Sequence, residues 1–177
     1  MGIDWLQYAV LNRQKYRETM DRKIERYIYW CLQMWGASYG WGKEVIWSTD
    51  CSGLVCSALA GMGYRIRTTA NALMQKVFVF PSDNKCDEVK AAFFVDPETD
   101  RAVHVGAIVG DGVLLHAVEP EVRLQPLEDV VSWFGSMGKA PHVRKIDWSR
   151  ALVVSEAREE FWDPDEEFSK MFFSKEA

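Results

Sequence analysis

Residues 104–117 read HVGAIVGDGVLLHA, and the fold class follows from this segment and the residues around it. Apolar residues lie on both sides of the sequence GDG at 110–112. A Gly-Asp turn between two apolar runs is typical of a β-hairpin. Further strands are predicted in EVKAAFFV (88–95), EVRLQPL (121–127) and APHVRKI (140–146). This part of the chain therefore predicts an antiparallel sheet.

The residues before this hairpin predict helices instead. In 18–35 the apolar residues recur at three- and four-residue steps, which places them on one helical face. They are Ile24, Tyr27, Ile28, Cys31 and Trp35. A second helix is predicted over 51–62, with Asp50 as its N-cap. Its inward-facing residues are Leu54, Val55, Leu59 and Met62.

Weaker helical patterns occur at 4–17, in RTTANALMQKV (67–77), and in DPDEEFSKMFF (163–173) near the C-terminus. Helices that precede an antiparallel sheet indicate the α+β class. A length of 177 residues, 48% of them apolar, suits one domain with a substantial core.

Composition excludes several classes of function. The net charge is −5, and residues 147–177 carry all of it, which disfavours binding to nucleic acid. No apolar run is long enough for a membrane span, and no secretory signal is visible, so the localisation stays open. The four cysteines form no CxxC pair, and no metal or cofactor is expected.

Cys51 stands where a nucleophile is favoured, at the first position of the predicted helix after Asp50. Unpaired backbone N–H groups at a helix N-terminus stabilise a thiolate, so we expect the pKa of this thiol to be lowered. The alternative is a core cysteine that merely follows a helix cap. Cys56, in the same helix, is expected to be buried and inert.

Two of the three histidines lie at the two ends of the predicted hairpin. His104 opens one strand and His116 closes the other, so the turn brings them side by side. This is the arrangement that a Cys–His pair requires: His104 accepts the thiol proton and His116 orients His104. The alternative is two histidines on an exposed sheet end. His142 is interpreted as an ordinary strand residue.

These segments resemble the NlpC/P60 cysteine peptidases, papain-like enzymes that cut bacterial cell-wall peptides. The likeness rests on SYGWGK (38–43) before DCSGLV (50–55), on RTTANALMQ (67–75), on AAFFV (91–95) and on the hairpin HVGAIVGDGVLLHA. The family usually has Pro-Gly-Asp-Leu before its Phe-containing strand, and EVKAA replaces it here. The resemblance implies a papain-like α+β fold in which N-terminal helices pack on a central antiparallel sheet.

The resemblance also implies roles for individual residues. Cys51 would be the nucleophile, His104 the general base and acid, and His116 the orienting residue. Tyr39 would line the site, while Asp50 and Ser52 would bind the free amine of a peptide. The implied catalytic domain spans 21–146, with a helical extension over 1–20 and an acidic extension with a short helix, packed on the same domain, over 147–177.

The implied reaction is hydrolysis of a peptide bond in peptidoglycan stem peptides, between D-γ-glutamate and a diamino acid. Two alternatives keep the fold: an amidase or acyltransferase acting on an amide or ester outside the wall, and a delivered toxin or phage lysis enzyme. A third is a binding module without catalysis. An immunity or delivery partner stays an open question.

Overall fold

The computed structural model describes residues 22–159, which form a single layer of sheet with helices packed against it. The five helices are α1 (Arg22–Leu32), α2 (Cys51–Gly61), α3 (Ala70–Lys76), α4 (Leu127–Ser136) and α5 (Trp148–Glu159). The expected helices at 4–17 and 163–173 lie outside the described residues.

Nine strands form one sheet in the order β2-β3-β1-β8-β7-β6-β5-β9-β4. The short strands are β1 (Ser38–Tyr39), β2 (Glu44–Val45), β3 (Ser48–Thr49) and β4 (Phe80–Pro81). The long strands are β5 (Lys90–Asp96), β6 (Arg101–Gly110), β7 (Val113–Val118), β8 (Glu121–Pro126) and β9 (Ala140–Lys145). All neighbouring strands are antiparallel except β1 and β3, so the predicted α+β class is confirmed.

The predicted hairpin is the centre of this sheet. β6 and β7 pair antiparallel around the turn at Asp111 and Gly112, and Gly112 has a φ of +65°, which glycine adopts without strain. The inner residues of β5 to β7 are almost all buried. Because both faces of these strands are covered, they have continuous apolar runs instead of a strict alternation.

Helix α1 follows the predicted apolar face over only part of its length. Ile24, Tyr27, Ile28 and Cys31 are buried, as expected, but the helix ends at Leu32. The prediction for Trp35 is therefore wrong: this side chain is 39% exposed. The chain turns after Leu32, and Met34 is buried in its place.

Two helices that the sequence did not predict complete the described part of the chain. Helix α4 follows β8 and contacts β9, while α5 contacts α3. In α5, Ala151 is fully buried and Ser155 Oγ accepts a hydrogen bond of 2.8 Å from the Arg65 backbone N–H. No helix within residues 22–159 is long and apolar enough to cross a membrane.

Candidate active site

The first turn of α2 fixes the position of Cys51. Asp50 is the N-cap, as predicted: its Oδ1 accepts hydrogen bonds from the Gly53 N–H at 2.7 Å and from Ser52 Oγ at 3.0 Å. Its Oδ2 accepts a third, from the Gly42 N–H at 2.7 Å. The Asp50 carboxylate therefore joins the preceding loop to the helix and makes Cys51 the first helical residue.

The electrostatics of the Cys51 thiol differ from the expectation based on helix position. Burial, together with the Asp50 carboxylate, raises the pKa of Cys51 to about 11. A hydrogen bond from the Val105 backbone N–H lowers it, but does not offset burial. The predicted lowering of this pKa is therefore wrong in the resting protein, because desolvation outweighs the helix N-terminus.

The contact with Val105 places the sulfur beside β6, next to the residue that follows His104.

One glycine makes this part of the sheet possible. A Cβ on Gly106 would lie 2.7 Å from Leu114 Cγ and 2.9 Å from His116 Cβ, closer than side-chain atoms approach. Only glycine at this position leaves room for an imidazole on the neighbouring strand.

The two hairpin histidines meet as predicted. His104 Nε2 lies 2.9 Å from His116 Nδ1, and the two rings are nearly perpendicular at 84°. His116 Nε2 lies 2.7 Å from Oε1 of Gln125 on β8. We call His104, His116 and Gln125 the imidazole relay.

Both imidazoles are shielded from water. His104 is 8% exposed and His116 is fully buried. Burial and, to a smaller extent, the neighbouring His116 together lower the pKa of His104 to about 3. The pKa of His116 is also lowered by burial, against the opposing hydrogen bond to Gln125. Both rings are therefore neutral near pH 7.

Aromatic rings supply much of this shielding. Phe134 of α4 stacks on the His104 ring at 4.8 Å between centroids and 26° between planes. Phe94 pairs with His104 across β5 and β6, and stacks on Phe134 at 4.2 Å. The His104 ring is thus held against apolar surface, with no carboxylate in this stack.

Tyr39 lies close enough to the same charges to be affected by them. The pKa of its phenol is raised, first by burial and then by Cys51, Asp50 and Glu119. The Tyr39 backbone N–H donates a 2.8 Å hydrogen bond to the Pro120 carbonyl, which ties β1 to the β7–β8 turn. The structure therefore brings Tyr39 and Asp50 near the nucleophile candidate, and the phenol stays protonated and able to donate.

Sequence reasoning missed two residues of this site. Gln125 is recognisable only once β7 and β8 are paired. In that register His116 lies opposite Arg123, and Gln125 follows Arg123 by two residues on β8, so it is the diagonal neighbour of His116 on the same face. Phe134 lies on α4, which was not predicted. His142 lies on β9 opposite Phe93, two strands away from β6, as an ordinary strand residue.

A family model described as the NlpC/P60 family matches residues 36–133, which is more than half of the chain. The chain belongs to the NlpC/P60 family. The match covers the N-terminus of α2 and the whole imidazole relay. No curated protein shows significant sequence similarity to the chain.

Solved structures of other NlpC/P60 proteins share the fold. RipB, a peptidoglycan hydrolase from Mycobacterium tuberculosis, has 20% identity and a TM-score of 0.54, with 82% of this chain and 87% of RipB covered. RipD from the same organism, described as a non-catalytic domain adapted to peptidoglycan binding, has 18% identity and a TM-score of 0.53, with 71% and 98% covered.

NlpC1 from Trichomonas vaginalis has 21% identity and a TM-score of 0.54, with 69% of this chain covered. The chain spans 43% of the length of NlpC1. At these identities the likeness establishes a shared fold, and the papain-like α+β architecture expected from the sequence is confirmed.

Proposed function

We propose that this NlpC/P60 protein is a cysteine peptidase that hydrolyses peptide bonds in peptidoglycan stem peptides. The observation that carries the proposal is the 2.9 Å contact between His104 on β6 and His116 on β7. The Cys51 sulfur accepts a hydrogen bond from Val105, which follows His104 on β6. The likeness to RipB, a peptidoglycan hydrolase, supports the substrate class.

The reaction begins from a neutral pair. With the pKa of Cys51 raised and that of His104 lowered, the thiol keeps its proton at pH 7 and the imidazole is free to accept it. His104 Nδ1 removes the proton as the sulfur attacks the peptide carbonyl. The backbone N–H of Cys51 and the Tyr39 hydroxyl donate hydrogen bonds to the resulting oxyanion, where each donor contributes about 3 kcal/mol.

The same imidazole completes the turnover. His104 returns its proton to the departing amine, which leaves a thioester on Cys51. A water molecule then loses a proton to His104 and attacks the thioester, which releases the acid and restores the thiol. The apolar contact with Phe134 keeps the imidazole neutral before the thiol approaches, and it favours the return of the proton to the amine.

Negative charge around Tyr39 favours a cationic substrate group. Asp50 and Glu119 both act on Tyr39, and Ser52 Oγ is anchored on the Asp50 carboxylate. We propose that Asp50 and Ser52 bind the free amine of a short stem peptide. A peptide of this kind is cut between D-γ-glutamate and the diamino acid.

Digestion of purified sacculi tests the proposal. The wild-type protein should release peptide fragments whose masses identify the bond cut, and Cys51→Ala should release none. Cys56→Ala is the matched control, because it removes a buried thiol from the same helix. Equal release by the wild type and Cys51→Ala, or no release by either, would contradict the proposal.

The same experiment separates the other candidates. The likeness to RipD favours one of them, peptidoglycan binding without cleavage. That function predicts co-sedimentation of both the wild type and Cys51→Ala with intact sacculi. An amidase or acyltransferase with a substrate outside the wall would neither bind nor cut sacculi, yet Cys51 would form a thioester with an activated ester.

A further inference from the structure

We propose that Gln125 is a positioning residue that sets the tautomers of His116 and His104 and thereby makes His104 Nδ1 the basic atom. This inference deepens the proposed function and rests on it. Gln125 is not part of the Cys-His-His set that the sequence indicated. It contacts no reacting atom and acts only through His116.

The direction of the two hydrogen bonds follows from the atom that Gln125 presents. Its Oε1 can only accept, so His116 must carry its proton on Nε2, 2.7 Å away. A neutral imidazole has one proton, so His116 Nδ1 is an acceptor. His104 Nε2, 2.9 Å from that atom, must then be the donor.

These two hydrogen bonds together determine the protonation of His104 Nδ1, the atom that faces the reaction. Since the single proton of neutral His104 is on Nε2, its Nδ1 carries a lone pair that can take the thiol proton. The opposite tautomer, with the proton on Nδ1, could not act as a base toward Cys51. Without an acceptor at Gln125, nothing distinguishes the two arrangements of the buried pair.

An amide serves here better than a carboxylate would. Gln125 orients His116 without adding charge, so both rings stay neutral. Arg123, which pairs with His116 across the two strands, lowers the pKa of His116 and so favours the neutral ring. A glutamate at 125 would orient the rings equally well but would favour an imidazolium.

The position of Gln125 makes it suitable for mutation. It is half-buried and lines a surface groove of about 360 Å³ together with Trp35 and Asp129. A change of side chain can therefore extend into the groove and leaves the core of the sheet unaltered. Asp129 lines the same groove, is exposed, and provides a control outside the relay.

The test is the tautomeric state measured by two-bond ¹H–¹⁵N correlation on protein labelled at histidine, without substrate. The chain has only three histidines, which makes assignment simple. In the wild type, His104 and His116 should both be Nε2–H tautomers. In Gln125→Leu both should become mixtures, and Asp129→Asn should match the wild type.

Kinetics supply the second readout. Gln125→Leu should lower kcat about tenfold with KM unchanged, the cost of losing one buried hydrogen bond that selects the tautomer. Gln125→Glu should restore the Nε2–H tautomers and shift the acid limb of the kcat profile to higher pH. If Gln125→Leu fails to fold, Gln125→Asn, whose shorter amide cannot reach His116, should show the same mixed tautomers.

The inference is overturned if His104 in the wild type carries its proton on Nδ1, or if the Leu or Asn variant keeps the wild-type tautomers. A loss of kcat with unchanged tautomers would also overturn it, because that outcome indicates a structural role alone. The tautomers are measured on the resting protein. A wild type that cuts no sacculi would therefore refute the proposed function and leave this readout intact.

Discussion

Two basic side chains are buried near opposite ends of β5, and the structure gives them opposite charge states. Lys90 begins β5, is 1% exposed, and donates hydrogen bonds to Asp83, Asp87 and the Lys85 carbonyl. Burial alone would lower the pKa of Lys90, but the two carboxylates raise it above its usual value. His104 is buried to a similar degree against phenyl rings and a second neutral imidazole, and its pKa is lowered.

Lys90 and His104 together show that burial does not by itself determine the charge of a basic side chain. A buried base stays charged where carboxylates surround it and becomes neutral where only apolar or uncharged groups do. Lys90 therefore acts as a fixed cation that holds the 83–87 loop together, while His104 is kept as a base able to accept a proton. Each end of β5 can be tested separately.

The largest expected effect is on activity at the His104 end. His104→Gln should lower kcat/KM for sacculus peptides by roughly 10³- to 10⁴-fold, the usual contribution of a general acid–base group. His142→Gln is the matched control, since His142 lies on β9 outside the site. A comparable loss in both variants would mean that His104 has no special role.

The second expected effect is on the pH dependence of stability. The pKa of His104 is about 3 in the folded protein, against 6.5 ordinarily, so between these pH values only the unfolded chain binds the proton. This contribution to stability is complete above pH 6.5 and is lost as the pH falls toward 3. Acidification therefore destabilises the native state.

Urea unfolding at about pH 7 and pH 4 measures the loss. Between these pH values the free energy of unfolding should fall by about 3 kcal/mol more in the wild type than in His104→Gln. This difference follows from the separation between the folded and the unfolded pKa of His104. Asp83, Asp96 and Asp147, whose pKa values are lowered, contribute to both proteins and cancel in the difference. Equal losses would indicate that the pKa of His104 is the same in the folded and the unfolded chain.

The features predicted correctly from the sequence are those with local causes. The Asp50 cap, the turn at 111–112 and the short span across that turn that brings His104 beside His116 each depend on nearby residues. These same features carry most of the candidate site. That is why a motif of a few residues located the nucleophile candidate and both histidines.

The features that were missed depend on long-range packing. Phe134 reaches His104 only because α4 packs beside β9, and Gln125 reaches His116 only through the register of β7 and β8. The pKa of Cys51 was predicted in the wrong direction because a helix position says nothing about how much water the tertiary structure removes. The limits of the implied catalytic domain, at residues 20–21 and 146–147, stay predictions.

The third expected effect is on stability at the Lys90 end. Lys90→Met should lower the free energy of unfolding by about 2 kcal/mol. The substitution removes the buried cation, so both ion pairs are lost and the Lys85 carbonyl loses its hydrogen-bond donor. The loss is moderate because Asp83 and Asp87 are 59% and 61% exposed and can be solvated. Lys85→Met removes the same charge from an exposed side chain and should leave stability unchanged.

The same substitution should leave catalytic activity unchanged although it lowers stability. Lys90→Met should keep wild-type kcat, because no catalytic group contacts the 83–87 loop. A large fall in kcat at temperatures where the variant is folded would mean that the two ends of β5 are coupled. That result would refute the separation between structural cation and neutral base.

The smallest expected effect concerns the ring that keeps His104 neutral. Phe134→Leu retains an apolar side chain but removes the stack at 4.8 Å on His104 and at 4.2 Å on Phe94, which should cost about 1 kcal/mol of stability. Met137→Leu, at the exposed end of the same helix, is the control. Because the smaller side chain admits water to the imidazole, the pKa of His104 should rise toward 6.5 in an NMR titration of Phe134→Leu. An unchanged titration would assign the neutrality of His104 to the sheet alone and leave Phe134 with a packing role.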